Sequence, residues 1–526
     1  MKTLTLLLLA ASLDAQVTYN RLLNTAREPQ NWLMYSGRYS GWRHSDLNQI
    51  TRENAGKLKV KWVYQMPTTH LVETTPLVAD GVMYFTEPPS NVVAVDVETG
   101  KQYWRYRRAT PQKVNVCCGQ VNRGVALLDD RVFVGTVDAH IVSLDAKTGA
   151  VLWDVEVADY TKGYSVTVAP LIVKDMVIVG IAGGEYGIRG FLDAYDAKTG
   201  KRRWRLWTIP GPGEKGNETW SGDSWKTGGG STWVTGSFDP DQNLIIWGVG
   251  NPSPDWNGDK RLGDNLFSDS AIGVDADTGK MKWYFQHVPH DVHDWDSVQV
   301  PVLVDDEWQG QRRKLVYWAH RNSFYYVLDR ESGKFLLGKP FAKQTWASGL
   351  DENGRPIRLP NIDPSPEGTY VWPGVQGSTN WYSPSYSPRT RYFYLSAWEN
   401  RSVYRKGEQE YTPGNRFIGS VPMIDLPDEP GHGAIRALNP KTGERVWEYR
   451  LHTKPWAGVL STAGDVVFGG SDEGYFFALD AHTGKELWRQ NTGGMIRANP
   501  ISFESKGKQV VAIAAGSSIF TYELGQ

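Results

Sequence analysis

"ALDAHTGKELW", residues 478–488, predicts a β-hairpin that ends in tryptophan. An apolar strand leads into a turn built on Asp480 and Gly484, and a second strand returns to Trp488. Glycine suits such a turn because it adopts positive φ without steric cost. The stretch is therefore interpreted as one hairpin unit.

The hairpin phrase recurs along the chain, and a copy that ends in Leu337 is degenerate. The segment "NAGKLKVKW", residues 54–62, supplies only the last half of the phrase. The eight closing positions are separated by 42, 49, 51, 79, 54, 110 and 41 residues. Such spacings match one four-stranded propeller blade each, with two insertions. The other copies are "AVDVETGKQYW" (94–104), "SLDAKTGAVLW" (143–153), "AYDAKTGKRRW" (194–204), "GVDADTGKMKW" (273–283), "VLDRESGKFLL" (327–337) and "ALNPKTGERVW" (437–447).

The last blade is predicted to need a strand from the N-terminus. Only 38 residues follow Trp488, enough for about three short strands. The strand that ends in Trp62 would complete the blade and remove an exposed sheet edge. We therefore predict an all-β fold, an eight-bladed propeller with Trp-docking repeats, closed by the N-terminal strand. Because no Pro/Ser-rich linker divides the chain, residues 16–526 are predicted to form one domain.

Composition and the N-terminus limit the partners and the location. With 57 basic and 58 acidic residues, the chain gives no electrostatic reason to expect nucleic acid or an anionic membrane as partner. Lys2, the apolar run "TLTLLLLAASL" and Ala15 predict a signal peptide over residues 1–15. The run is too short to span a bilayer. An uncleaved signal anchor is the alternative; cleavage predicts a periplasmic or secreted protein.

The insertions and loops contain the candidate chemistry. If the end of "HVPHDVHDWD" (287–296) is extended, Asp294 and Asp296 share one face, with Trp295 on the other. Beside Glu185 of "AGGEYGIRG" and the Asn251 amide of "GNPSPDWN", these carboxylates would form an all-oxygen site. Such a site suits a hard cation.

The chain resembles the PQQ-dependent (quinoprotein) alcohol dehydrogenases of the methanol/ethanol dehydrogenase type. These eight-bladed propellers hold pyrroloquinoline quinone (PQQ) over a metal ion in a central chamber. The resemblance covers essentially the whole mature chain, and its most specific phrase joins two adjacent cysteines to an Asn-Arg pair. The phrases that carry it are "CCGQVNRG", "GEYGIRG", "GGGSTW", "GNPSPDWN", "HDWD", "AHRN" and "QGSTNW".

The resemblance implies a set of residues around PQQ. Trp233 would stack on one face of its ring, and a disulfide between Cys117 and Cys118 would cover the other. Trp456 would help to wall the substrate chamber. The residues implied to contact the carboxylates and the quinone edge are Glu73, Arg123, Thr167, Ser231 and Asn380.

The resemblance also implies a reaction. Asp294 would take the hydroxyl proton of an alcohol, and Arg321 would hydrogen-bond the quinone oxygens. A metal ion would polarise the carbonyl that accepts the hydride, giving an aldehyde or a ketone. Electrons would pass to a soluble cytochrome c, and a homodimer is compatible with the sequence. The implied metal ligands are Glu185, Asn251, Asp294 and Asp296.

Asp296 bears on the choice of metal. An Asp two residues after the catalytic one resembles the lanthanide-using branch of the family, because another carboxylate would offset a higher cation charge. Calcium is the alternative, and Asp296 could instead pair with a nearby arginine.

Two other readings compete. His287, His290 and His293 could form a zinc site, but the segment begins beside a proline and is not helical in pattern, so ordinary loop histidines are favoured. A scaffold propeller that has lost its cofactor is the second alternative. A CxxCH haem motif is absent, since Cys117 and Cys118 are the only cysteines.

A disulfide between neighbouring cysteines would serve a local purpose. It closes almost no loop, so the chain-entropy effect gives little stability. Consecutive Cα atoms lie about 3.8 Å apart, below the usual disulfide range of about 4.4 to 6.8 Å. The geometry therefore favours a local purpose, and the resemblance implies that Cys117 and Cys118 form a rigid plate against the cofactor; two buried reduced thiols are the alternative.

Overall fold

The structure, a computed structural model, describes residues 17–420 and 431–525. Eight blades of four antiparallel strands follow one another along the chain, as the repeat predicts; seven form four-stranded sheets, and in the remaining sheet a short N-terminal strand adds a fifth strand. The predicted signal peptide, residues 1–15, lies outside the described residues, and its cleavage stays a prediction. No helix within the two described ranges is long and apolar enough to cross a bilayer.

Strands dominate the described chain. Before the first blade lie α1 (Tyr19–Leu23), β1 (His44–Ser45) and β2 (Leu58–Gln65). The first four blades are β3 (Leu77–Ala79), β4 (Val82–Glu87), β5 (Asn91–Asp96), β6 (Gln102–Tyr106); β7 (Ala126–Leu128), β8 (Arg131–Gly135), β9 (His140–Asp145), β10 (Val151–Glu156); β11 (Leu171–Val173), β12 (Met176–Gly180), β13 (Phe191–Asp196), β14 (Arg202–Trp207); and β15 (Ser237–Asp239), β16 (Leu244–Gly248), β17 (Ser270–Asp275), β18 (Met281–Gln286).

The second half continues the pattern around the longer insertion. Its strands are β19 (Val302–Trp308), β20 (Gln311–Ala319), β21 (Phe324–Asp329), β22 (Phe335–Pro340), β23 (Ala347–Leu350), β24 (Pro356–Arg358), β25 (Thr369–Val371), β26 (Ser385–Tyr386), β27 (Phe393–Glu399), β28 (Ser402–Tyr404), β29 (His432–Leu438), β30 (Arg445–Leu451), β31 (Leu460–Thr462), β32 (Val466–Gly470), β33 (Tyr475–Asp480), β34 (Glu486–Asn491), β35 (Ile501–Ser505), β36 (Lys508–Ala515) and β37 (Ser518–Leu524). Blade five is β19–β22, blade six is β26-β27-β29-β30 and blade seven is β31–β34. The insertion adds the small sheets β23-β24 and β25-β28. Short 3₁₀ segments lie at Thr25–Arg27, Ala55–Lys57, Tyr160–Lys162, Gly184–Tyr186, Asn217–Thr219 and Ser224–Thr227.

The N-terminal strand closes the ring, as predicted. The eighth sheet has the order β2-β37-β36-β35, and β2 pairs antiparallel with β37 from Leu58 opposite Leu524 to Gln65 opposite Ser518. In addition, β1 pairs parallel with β31, the first strand of blade seven. Two N-terminal strands are therefore built into the last two blades: β2 covers the outer edge of blade eight at β37, and β1 covers the first strand of blade seven.

The repeat tryptophans dock on the following blade. The indole N–H of Trp104 donates to the Ala146 carbonyl at 3.0 Å, in the turn of the next hairpin. The Asp145 carboxylate holds that turn by accepting the backbone N–H of Thr148 at 2.8 Å, and Gly149 has φ of 73°. The same indole bond joins Trp62 to Val97, Trp153 to Ala197, Trp204 to Ala276, Trp283 to Arg330 and Trp447 to Ala481.

Gly149→Ala should destabilise the propeller more than Gly81→Ala. Both glycines have positive φ, which costs an alanine about 1 kcal/mol. A Cβ atom on Gly149 would lie 2.5 Å from the Trp104 ring, whereas one on Gly81 would meet no atom within 4 Å. Overpacking adds about 2 kcal/mol at Gly149 alone. Thermal unfolding of both variants measures the difference, and equal Tm shifts would contradict Trp docking as the reason for this glycine.

Candidate active site

A cavity of about 140 Å³ lies where the eight blades meet. Each blade contributes at least one residue to its wall from the segment that precedes the blade's first strand. Because every blade reaches the same cavity, the cavity lies on the axis of the ring, at the end where these strands begin. The contributed residues, in chain order, are Glu73, Arg123, Thr167, Trp233, Asp294, Asn380, Trp456 and Arg497.

Most of the residues singled out from the sequence meet in this cavity. Two exceptions, Ser231 and Asn251, are buried in the wall behind it. A Cβ atom on Gly184 would lie 3.2 Å from Asn251 Oδ1 and 3.4 Å from Ser231 Oγ, so both side chains back the 3₁₀ segment that carries Glu185. The twelve predicted residues in the cavity wall are Glu73, Cys117, Cys118, Arg123, Thr167, Glu185, Trp233, Asp294, Asp296, Arg321, Asn380 and Trp456.

Arg123 organises one side of the cavity. Its guanidinium forms an ion pair with Glu73 at 2.7 Å and donates to Thr167 Oγ1 at 3.0 Å. The same group lies over the rings of Trp233 and Trp381, 4.7 and 4.8 Å from their centroids. Burial raises the pKa of Glu73, and Arg123 opposes that shift. This side of the cavity therefore combines a guanidinium, fixed by an ion pair and a hydrogen bond, with the faces of two indole rings.

The adjacent cysteines form the neighbouring part of the wall. Cys117 and Cys118 are free thiols in the structure, so the predicted disulfide stays a prediction. Both sulfur atoms and a Glu185 carboxylate oxygen lie within 4.8 Å of one another. A hydrogen bond to Cys118 and burial raise the pKa of the Cys117 thiol well above its ordinary value. The pair thus sits beside one of the predicted metal ligands.

The Asp294–Asp296 segment reaches the cavity by a route other than the predicted one. It is not extended, because Asp294 has φ of 61°. The Asp291 carboxylate accepts the backbone N–H groups of His293 and Trp295 at 2.9 and 2.8 Å, which fixes a tight turn. Trp295 is buried and points away, as predicted, while both carboxylates face the cavity.

Arg321 links the two carboxylates. Its Nη1 donates to Asp296 Oδ2 at 2.5 Å, and its Nη2 lies 3.5 Å from Asp294 Oδ2. The alternative in which Asp296 pairs with an arginine is therefore present in the structure. The other oxygen, Asp296 Oδ1, accepts the backbone N–H of Asn251 at 2.8 Å. Asp296 is consequently held from both sides, whereas Asp294 has a single, longer contact to Arg321.

Four carboxylates, which we call the acid cluster, influence one another electrostatically, and Arg321 pairs with the last two of them: Glu185, Asp255, Asp294 and Asp296. Burial raises the pKa of Asp296 to about 6, against the opposing charge of Arg321. Burial also raises the pKa of Asp294 well above its ordinary value; Arg321 opposes the shift, and the other three carboxylates add to it. When its four carboxylates are ionised, the cluster would have more negative charge than Arg321 and Arg261 together can balance. An all-oxygen, electron-rich donor set of this kind fits a hard multivalent cation.

Sequence reasoning missed four charged, amide or aromatic residues of the wall or the acid cluster. Asp255 lies inside the quoted phrase "GNPSPDWN", and Gln376 and Trp381 bound the phrase "QGSTNW". Arg497 precedes the first strand of its blade by four residues, as Glu73 and Trp456 do in theirs. Counting back four residues from each predicted inner strand would have found Arg497.

The three histidines do not converge within the described residues. His287 Nδ1 lies 2.9 Å from Ser297 Oγ, His290 Nδ1 lies 2.8 Å from the Gly263 carbonyl, and His293 Nε2 lies 2.9 Å from the carbonyl of residue 362. Their ring nitrogens are used for separate loop contacts, as the favoured interpretation predicts. The structure gives the zinc alternative no support.

Comparison with known proteins identifies the family. The model for the glucose/ethanol/alcohol dehydrogenase β-propeller domain matches residues 32–339, and that for the outer membrane protein assembly factor BamB matches residues 431–524. The second range contains only Trp456 of the residues predicted for the site.

Relatives extend over nearly the whole chain. The quinoprotein alcohol dehydrogenase PedH of Pseudomonas putida is 37% identical over 98% of this chain and 90% of its own length. The lanthanide-dependent methanol dehydrogenase of Methylacidiphilum fumariolicum is 36% identical over 97% and 88%. The quinohemoprotein alcohol dehydrogenase structure from Comamonas testosteroni superposes with a TM-score of 0.93 at 33% identity, over 98% of this chain and 84% of that one. The chain belongs to the PQQ-dependent alcohol dehydrogenase family and is an oxidoreductase.

Proposed function

We propose that the protein oxidises an alcohol to an aldehyde or ketone, with PQQ and one metal ion bound in the axial cavity. The observation that carries the proposal is the meeting of three carboxylates of the acid cluster, the Arg123 group and the cysteine pair in one cavity. Packing of the blades alone requires none of these groups. The relatives, an alcohol dehydrogenase and a methanol dehydrogenase, support the same reaction class.

The cavity residues fit PQQ, a flat molecule rich in hydrogen-bond acceptors. Three buried donors among them have no hydrogen-bond partner in the described structure: Arg123 Nε, Arg321 Nε and Trp456 Nε1. Buried donors are usually satisfied, so a ligand with carboxylate and carbonyl oxygens would complete them. When bound, PQQ supplies an electrophilic carbonyl that accepts hydride. We propose Glu73, Thr167, Ser231 and Asn380 as further contacts, with Trp233 on one ring face and Cys117–Cys118 on the other.

The acid cluster would hold the metal ion. Glu185, Asn251, Asp294 and Asp296 are the proposed ligands, and all supply oxygen. The excess negative charge favours a trivalent lanthanide over Ca²⁺, because the Coulomb energy grows with the charge of the cation. A similar structure, titled "Europium-containing methanol dehydrogenase", superposes with a TM-score of 0.90 at 32% identity, over 96% of this chain and 100% of that one.

Asp294 is the proposed general base. Its side chain is 17% exposed, against 6% for Asp296, so it is the carboxylate of the pair that a substrate hydroxyl can reach. Arg321 would orient Asp294 while keeping Asp296 ionised beside it. A carboxyl whose pKa lies above its ordinary value accepts a proton more readily near neutral pH. Asp294 would thus take the hydroxyl proton, and Trp456 would bound the space for the alcohol.

Electrons are proposed to leave through a soluble cytochrome c, in the periplasm. The chain has two cysteines, and they are adjacent, so no CxxCH motif can attach a haem within these 526 residues. The predicted signal peptide supports export.

Reconstitution of the protein with PQQ and a metal ion tests the proposed function. Purified protein, stripped with a chelator, should be inactive because the metal ligands are emptied. Adding PQQ with La³⁺ or Ca²⁺ should restore a quinone absorption band and dye-linked oxidation of primary or secondary alcohols, with La³⁺ the more effective. An absent band together with no turnover in either metal would reject the proposal, and a screen of alcohols under both metals defines the substrate.

A further inference from the structure

Asp255 is a buried carboxylate that contacts a proposed metal ligand. It is 1% exposed, and its Oδ1 accepts a hydrogen bond from Asn251 Nδ2 at 3.1 Å. Its other oxygen, Oδ2, is buried without a hydrogen-bond partner in residues 17–420 and 431–525. Leaving a buried carboxylate oxygen without a partner is costly, so the position calls for an explanation.

The contact from Asp255 fixes the orientation of the Asn251 amide. Both hydrogens of Asn251 Nδ2 have acceptors, Asp255 Oδ1 and the Pro252 carbonyl at 3.2 Å. The amide oxygen must therefore point the other way. It does so toward the segment that carries Glu185, because a Cβ on Gly184 would lie 3.2 Å from Asn251 Oδ1. An amide oxygen held beside a carboxylate is suited to a hard cation.

The charge of Asp255 is not neutralised by a hydrogen-bonded cation. The charged groups that face it are Glu185 and Asp296, which repel it, and Arg261, which attracts it. Arg261 is fully buried, but its guanidinium donates to the Pro254 and Asp291 carbonyls and to Asn265 Oδ1. Burial raises the pKa of Asp255 well above its ordinary value, and when the carboxyl is ionised it adds negative potential to the acid cluster from behind Asn251.

We propose that Asp255 is a positioning residue of the metal site, which sets the Asn251 amide as a ligand and favours a trivalent over a divalent cation. The inference rests on the proposed function in one respect, the presence of a cation at the acid cluster. A purely structural role would need only a neutral hydrogen-bond acceptor. The two roles separate because the Coulomb energy of the carboxylate scales with the charge of the cation, whereas the hydrogen bond to Asn251 does not.

The test compares two substitutions in the full-length, chelator-treated protein. Asp255→Asn keeps an acceptor for Asn251 and removes the charge, whereas Asp255→Ala removes both. Tb³⁺ binding is followed by tryptophan-sensitised luminescence, and Ca²⁺ binding by displacement of Tb³⁺. We expect Asp255→Asn to weaken Ca²⁺ binding about 10-fold and Tb³⁺ binding about 30-fold, since the logarithm of the loss scales with charge. Asp255→Ala should weaken both by about a further 10-fold, because the amide is freed.

Two controls make the result decisive. Asp259→Asn removes a nearby carboxylate that pairs with Lys406 at the surface, and it should change neither affinity. Without metal, the Tm of Asp255→Asn should be no lower than that of the wild type, because the substitution removes a carboxyl that the other carboxyls of the cluster repel. A lower Tm, or failure to fold, would indicate a structural role for Asp255 and would overturn the proposal. Equal losses for Tb³⁺ and Ca²⁺ also overturn it. If the wild type binds neither cation, the proposed metal site fails together with the inference, whereas normal binding by both Asp255 variants rejects the inference alone.

Discussion

Asp294→Asn is expected to lower kcat for alcohol oxidation about 10³-fold, because asparagine cannot take the hydroxyl proton. The side chain keeps its size and can still offer an oxygen to a metal ion. Saturating La³⁺ and PQQ should therefore still load the variant, and the quinone absorption band should persist. Steady-state kinetics with a dye acceptor, at full metal occupancy, separates loss of the base from loss of the metal.

Asp277→Asn is the matched control for this substitution. Asp277 is exposed and pairs with Lys174 far from the cavity, so its loss should leave kcat unchanged. Asp294→Asn protein that is fully loaded and turns over at the wild-type rate would show that another group takes the proton.

The double variant Cys117→Ala/Cys118→Ala is expected to weaken PQQ binding about 30-fold while leaving the propeller folded. Removing the two sulfur atoms uncovers part of one face of the ring, a loss of about 2 kcal/mol of apolar contact. Tm without PQQ should stay within a few degrees of the wild type, since a link between neighbours constrains almost no chain. Fluorescence titration with PQQ measures the affinity.

A thiol count distinguishes the two states of this pair. Denatured wild type should react with no thiol reagent if the predicted disulfide is present, and with two equivalents if the pair matches the free thiols of the structure. The double variant itself decides the role of the pair: unchanged PQQ affinity and turnover would rule out a plate against the cofactor in either redox state.

The propeller was predictable because its repeat contains the tryptophan that contacts the next blade. Five of the seven Asp-to-Trp phrases contain a turn and an indole that docks on the next turn, so the spacing of Trp104 and its counterparts indicates the number of blades. The pairing of β2 with β37 followed from the missing strand after Trp488. Both predictions need only the local residue pattern and a count of residues between repeats, and a single sequence supplies both.

The sequence predicted which residues meet in the cavity better than it predicted how those residues are arranged. Asp294 and Asp296 do converge, but through a left-handed residue and the Asp291 turn, and alternation along a strand could not have shown this. Asp255 was overlooked because its role depends on which way the Asn251 amide faces. Side-chain orientation of this kind is set by contacts between distant segments, and no spacing in the sequence encodes it.

The axial cavity receives at least one residue from every blade, and this has a consequence for biogenesis. Glu73 precedes the first blade and Arg497 the last, and closure of the ring makes these two blades neighbours, so that their charges interact. A nascent chain that has not yet released its final blade lacks part of the wall and cannot offer the full set of contacts. The full set of contacts for a cofactor therefore exists only in the complete ring, and a ligand bound there would contact residues of all eight blades at their centre.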